Sequence, residues 1–177
     1  AFEDEHGTYI MNSRDLRAVQ HVHRLIEIGV DSLKIEGRTK SFYYCARTAQ
    51  VYRKAIDAAG AGQPFDPNWY NELAHLANRG YTDGFLQRHN HQDYQQYDRG
   101  SSISTSRQLV GEVISEKGEW WYIDVKNHFA ADDLIEIMTQ TGNQIVHLTT
   151  LQSSTGEPVL VAPSSGYRVR IPKPDGL

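Results

Sequence analysis

The spacing of apolar residues changes near position 101, and the two halves of the chain predict different structures. A short β-favouring run between Thr8 and Asn12 leads to Asn12 or Ser13 as a helix N-cap, with Asp15 in the first turn. Leu16, Val19, Val22 or His23, and Ile26 then recur at three- and four-residue spacing, and Gly29 follows, which predicts a helix from about Arg14 to Ile28. From Ser32 to Glu36, Leu33 and Ile35 alternate with Lys34 and Glu36, the pattern of a strand with one apolar and one charged face. A second helix opens near Thr39 or Ser41, with Cys45, Ala49, Tyr52 and Ile56 as its expected buried seam and Arg47 and Lys54 turned away. Gly60 to Pro64 reads as a linker. Asp66 as N-cap, Pro67 as first helical residue and Gly80 as terminator then frame a third helix with Tyr70, Leu73 and Leu76 inward. A looser stretch rich in Tyr, Gln and His runs from Tyr81 to Gly100.

Beyond the polar break from Ser101 to Ser106, six short β-type runs are separated by turn residues. They are Leu109 to Ile114, Trp120 to Val125, Leu134 to Met138, Gln144 to Leu151, Pro158 to Val161 and Tyr167 to Ile171. Such spacing predicts a small barrel. Alternation sends Trp121, Ile123 and Val125 to its core and leaves Trp120 and Tyr122 on the other face. The fold expected is therefore α/β followed by all-β. Residues 1–60 hold two strand–helix units, too few to close an eight-fold barrel, and read as the C-terminal fragment of a TIM-barrel-like domain that begins upstream. Residues 61–106 read as a helical connector and 107–177 as a six-stranded β-barrel.

Composition narrows the function classes. The 177 residues have a formal net charge of -4, and no apolar run nears the length of a bilayer span, so a cytoplasmic protein with no membrane partner is expected. Residues 1–100 carry a net -1 and residues 101–177 a net -3, which confines any nucleic-acid contact to a local patch. The single cysteine, Cys45, excludes an internal disulfide and a four-thiolate metal site built from this chain alone. Its place on the expected seam marks it as a buried, inert thiol.

The densest charged cluster runs from Lys34 to Lys40, with Glu36 the only acid between Lys34 and Lys54. Lys34 and Glu36 share a strand face, and Gly37 lets the backbone turn where a barrel strand would end, the rim at which α/β barrels build their sites. A lysine and an arginine there suit a carboxylate or phosphate ligand, with Glu36 as orienting partner or proton carrier. The plainer alternative is an internal Lys34–Glu36 ion pair beside a solvated helix face. His21 and His23 are two apart on a helix and diverge, His89 and His91 converge only in an extended stretch, and Glu3, Asp4, Glu5 and His6 sit at the start of the chain, so no metal site is expected. Nucleophile elbow, phosphate-loop and dinucleotide fingerprints are absent.

The run from Glu3 to Ser13, the pair Asp15-Leu16, and the segment Gly29 to Arg38 with Lys40, Ser41 and Tyr44 resemble the collagenase-like peptidase family U32 over nearly the whole chain. This resemblance implies a longer protein, whose barrel-like catalytic domain precedes a small β-barrel similar to the second domain of translation elongation factors. The activity it implies, from the members most similar to this chain, is prephenate-dependent 5-hydroxylation of the wobble uridine of tRNA, with prephenate as co-substrate. It also implies an iron–sulfur cluster held by upstream cysteines. Many relatives place a cysteine after the Asp-Leu pair, where this chain has Arg17. The resemblance assigns Lys34, Arg38 and Lys40 to an anionic substrate, either prephenate or the tRNA backbone, and places Tyr44 on the same rim and Glu36 as the catalytic candidate. The alternatives to hydroxylation are peptidase activity and a non-catalytic tRNA- or protein-binding β-barrel. This chain without its upstream domain is expected to be inactive.

Overall fold

The computed structural model describes the backbone of residues 2–4 and 7–9, and residues 14–38, 40–87, 107–140 and 142–177. They form two compact units, Ala1–Arg107 and Gln108–Leu177.

The first unit opens with an antiparallel pair, β1 (Phe2–Asp4) and β2 (Gly7–Tyr9). The expected helix from Arg14 begins later than its spacing suggests. Residues Asp15–Leu16 form β3, which pairs in parallel with β4 (Tyr81–Thr82), and the N–H groups of Asp15 and Arg17 bond to the carbonyls of Gly80 and Thr82. That ladder commits residues 15–17 to extended backbone, so one 3-10 turn (Val19–His21) precedes α1 (Val22–Glu27). Gly29, at φ +85°, closes α1 as its spacing predicts: Val30 N–H returns to Leu25 and Gly29 N–H to Ile26, the six-to-one and five-to-two bonds of a Schellman end. Asn12 and Ser13, the expected caps, lie outside the described residues.

The strand expected over Ser32 to Glu36 has no ladder partner among the described residues; the chain from Asp31 to Gly37 is irregular. Helix α2 (Phe42–Gly60) starts where expected, with the Ser41 hydroxyl accepting the Tyr44 N–H at 3.2 Å. Its buried face is rotated from the expected seam. Thr48, Val51, Ala55 and Ala58 are buried, whereas Cys45 and Ala49 are exposed. Arg47, read as facing away, is buried and pairs with Glu72 at 3.4 Å. The helix carries five alanines that suit either face, so contact with Val22 of α1 and with Trp69 and Leu73 of α3 (Asn68–Ala74) sets its rotation. The N-cap of α3 is Pro67 rather than the expected Asp66, whose carboxylate instead accepts the Asn68 N–H at 2.9 Å from one residue further out, and Gly80 turns the chain into β4 six residues after the helix ends.

The second unit is all β, arranged around a core of Trp121, Ile123, Val125, Phe129, Leu148, Leu151, Val169 and Ile171. Strands β5 (Gly111–Lys117), β6 (Trp120–Val125), β10 (Gln152–Ser153) and β12 (Arg168–Pro172) make one antiparallel sheet in the order β10-β12-β6-β5. A two-residue turn with Gly118 at φ +60° joins β5 to β6. Strands β8 (Leu134–Met138) and β9 (Asn143–His147) form a hairpin, and β7 (Phe129–Ala130) pairs with β11 (Val161–Ala162). The alternation in β6 is as expected: Trp121, Ile123 and Val125 are buried. Beside the six runs read from the sequence there are two further short strands, β7 and β10, and the ladders form three separate sheets. Among the described residues no helix is long and apolar enough to cross a membrane.

Candidate anion-binding cleft

The segment from Asp31 to Gly37, the start of α2 and the β3–β4 ladder enclose a cleft of about 490 Å³ in the first unit. Its lining includes all five residues singled out from the sequence, Lys34, Glu36, Arg38, Lys40 and Tyr44. The structure divides them into two groups. Lys34, Glu36 and Arg38 lie at the exposed rim, where the Glu36 carboxylate is 3.5 Å from the Lys34 ammonium and 3.3 Å from the Arg38 guanidinium. Lys34 and Arg38 are 84% and 88% exposed, so these contacts are individually weak. Glu36 therefore spreads its charge over two solvated cations.

Lys40 is built in. Its ammonium lies 2.7 Å from Asp15 Oδ2, donates to the Ala77 carbonyl at 3.0 Å, and sits 4.7 Å from the centre of the Tyr44 ring. Asp15 also meets the Arg79 guanidinium at 3.5 Å. The sequence offered Asp15 as a helix-start acid, but the β3–β4 ladder makes it the buried anchor that fixes Lys40. Lys40 precedes the Ser41 cap, and the chain entering α2 lays its ammonium over the Tyr44 ring of the helix's first turn.

Tyr44 and Tyr81 stand close enough to this buried carboxylate to feel its charge, and Tyr52 lies beside them. The Tyr52 hydroxyl accepts the Ala18 N–H at 2.8 Å, and the Tyr81 hydroxyl donates to the Leu73 carbonyl at 2.7 Å. Burial, reinforced by the Asp15 charge, pushes the Tyr44 phenol up to about 12; burial also raises Tyr52 and Tyr81. The neutral phenol is thus the form that the fold favours. Its contribution to stability is intact below the unfolded value near 10 and is lost as pH rises through about 12. Thermal melts of the parent and Tyr44→Phe proteins from pH 9 to 12 are expected to converge, the parent losing its advantage above roughly pH 10. A constant difference across that range would contradict the assignment.

Arg17 enters the cleft between two rings. Its guanidinium carbon is 4.3 Å from the Tyr70 centroid and 4.6 Å from that of Tyr81. The adjacent tyrosines come from distant positions, so no local signal in the sequence revealed this clamp. In all, Arg14, Arg17, Lys34, Arg38, Lys40 and Arg79 line the cleft against two acids, Asp15 and Glu36. A chain that is net negative has concentrated positive charge in one concavity. Cys45 is exposed on α2. The histidines with described contacts face Gln63 (His23), Asp83 (His21) and Asp132 (His147). Among the described residues no group of three or more His, Cys, Asp or Glu could hold a metal ion. His89, His91 and the side chains of Glu3 to His6 lie outside them.

The fold and the cleft define a protein whose first unit, of helices and short strands, gathers cations in one concavity and is followed in sequence by a small all-β unit. The chain belongs to peptidase family U32: residues 1–96 match the model of that family and residues 105–176 that of the family's C-terminal domain. It is 58% identical over 178 residues to the tRNA hydroxylation protein P of Escherichia coli strain K12, and 53% identical over 179 residues to the protein of the same name from Haemophilus influenzae. Each alignment covers 100% of this chain and 39% of the relative, so the chain spans about two fifths of the length of these relatives. Among solved structures, the C-terminal domain of a U32 peptidase from Geobacillus thermoleovorans is similar at a TM-score of 0.37 and 19% identity, over 43% of this chain and 89% of that domain.

Proposed function

We propose that this chain is the C-terminal part of a tRNA-modifying protein that hydroxylates the wobble uridine at its 5 position. The observation that carries this reading is the 58% identity, over the whole chain, to a protein named for tRNA hydroxylation. In this reading the first unit supplies the last strand–helix elements of a barrel completed by the upstream domain, and the second unit is a small β-barrel. Prephenate is the co-substrate, and the surplus of cations in the cleft supports an anionic ligand of that kind. Lys34 and Arg38 draw the anion to the rim, Glu36 orients them, and the Lys40–Asp15 pair holds the wall against which Tyr44 lies. A cytoplasmic location follows from the tRNA substrate.

The iron–sulfur cluster implied by the family resemblance does not fit the residues present. The chain has one cysteine, on an exposed helix surface, and a cluster needs several converging thiolates. Any such group belongs to upstream residues.

The experiment is mass spectrometry of tRNA nucleosides from cells lacking the full gene, complemented with the full-length gene or with these 177 residues alone. Loss of 5-hydroxyuridine, restored only by the full-length gene, is the expected result. Unchanged nucleosides in every strain would overturn the reading in favour of a peptidase.

A further inference from the structure

The ion pairs share the cleft's cations unevenly. Asp15 takes Lys40 and Arg79, and Glu36 takes Lys34 and Arg38. Arg17 has no carboxylate within reach among the described residues, and its Nε is buried without a hydrogen-bond acceptor. That nitrogen is closed off from the cleft, so a ligand meets the terminal nitrogens of a guanidinium that lines the cleft and has no carboxylate partner. The clamp around it is stiff: the Tyr81 hydroxyl is tied to the Leu73 carbonyl, and the Tyr70 ring meets Phe65 edge-on at 5.3 Å between centroids. A guanidinium stacked between two fixed rings keeps its planar fork pre-organised, the geometry that a carboxylate matches with two parallel hydrogen bonds.

The geometry points to Arg17, rather than the solvated Lys34 and Arg38, as the anchor for the carboxylate of a small organic acid bound in this cleft. The rest of the lining defines the body of that acid. Leu25, Leu33, Leu73 and the ring of Tyr52 offer apolar walls, which suit an unsaturated or aliphatic ring. A nucleic-acid backbone is the poorer match, because repeated phosphates call for an open track of exposed cations. This inference deepens the proposed function and rests on it only in taking the cleft as a ligand site.

The test is a titration of the full-length protein with 3-phenylpropionate, with inorganic phosphate and a short uridine-rich RNA in parallel arms. Expected are saturable binding of the organic acid, shifts of the Tyr70 and Tyr81 ring resonances, and affinity about tenfold or more weaker in Arg17→Met at an unchanged melting temperature. Arg17→Lys, which keeps the charge and loses the fork, is expected to recover part of that affinity. Equal affinity in a folded Arg17→Met protein overturns the assignment, as does tighter binding of phosphate or RNA at the same rings. If Arg17→Met does not fold, the parent protein decides: ring shifts support the anchor and their absence refutes it. Hydroxylation is judged by tRNA nucleosides and binding by resonances, so either can fail without the other.

Discussion

Replacing Asp15 with Ala is expected to lower the stability of the first unit by about 3–5 kcal/mol, the range for removing one partner of a buried ion pair. The Asp15 side chain is only 8% exposed and that of Lys40 15%, so the ammonium left behind keeps little water, while its bond to the Ala77 carbonyl leaves its charge uncompensated. Arg79, at 36%, can turn to solvent and adds less. Urea unfolding followed by far-ultraviolet circular dichroism measures the loss. Adding Lys40→Met to Asp15→Ala is expected to recover much of it, because the second change removes the stranded charge. A loss of under about 1 kcal/mol for Asp15→Ala would place the pair with ordinary surface bridges and leave the cleft wall without its anchor.

In the second unit the largest expected effect is that of Trp121→Ala, a loss of about 3–5 kcal/mol. Trp121 lies in the core formed by β6 and β12, opposite Ile171, and its indole N–H donates to Glu116 at 3.1 Å. Its removal opens a cavity among Ile123, Val169 and Ile171 and withdraws one of two donors from Glu116. Lys173 remains on that carboxylate at 2.8 Å, so the cavity accounts for most of the cost. Amide hydrogen exchange in β6 and β12 is the measurement. Protection there is expected to fall steeply in Trp121→Ala and only slightly in Trp120→Ala, because Trp120 lies on the opposite face under Arg170.

What could be read from the sequence depended on whether the signal was local. The β6 alternation, the Ser41 cap and the Gly29 terminus each involve residues a few positions apart, and each is found in place. The rotation of α2 was not legible. Alanines at 46, 49, 55, 58 and 59 leave its apolar stripe indistinct, and the reason for burying Arg47 is Glu72, twenty-five residues on. The candidate site divided the same way. Lys34 to Lys40 is visible as a charge cluster, whereas Asp15 and Arg17 acquire their roles only when β4 brings residues 80–82 alongside β3. Cys45 is exposed because the face of α2 on which its spacing places it is not the face that α2 buries.

The irregular segment from Asp31 to Gly37 has a kinetic consequence. Its residues keep the alternation of a strand, yet their N–H groups from Asp31 to Glu36 make no backbone hydrogen bond among the described residues. Such amides exchange with solvent without waiting for any unfolding event. The segment is thus a natural reporter: a strand arriving beside it would slow exchange at alternate residues and print its own register in the labelling pattern. Until then it is an unguarded edge, on which Leu33 and Ile35 favour β pairing and Lys34 and Glu36 supply the charges that discourage indiscriminate self-association.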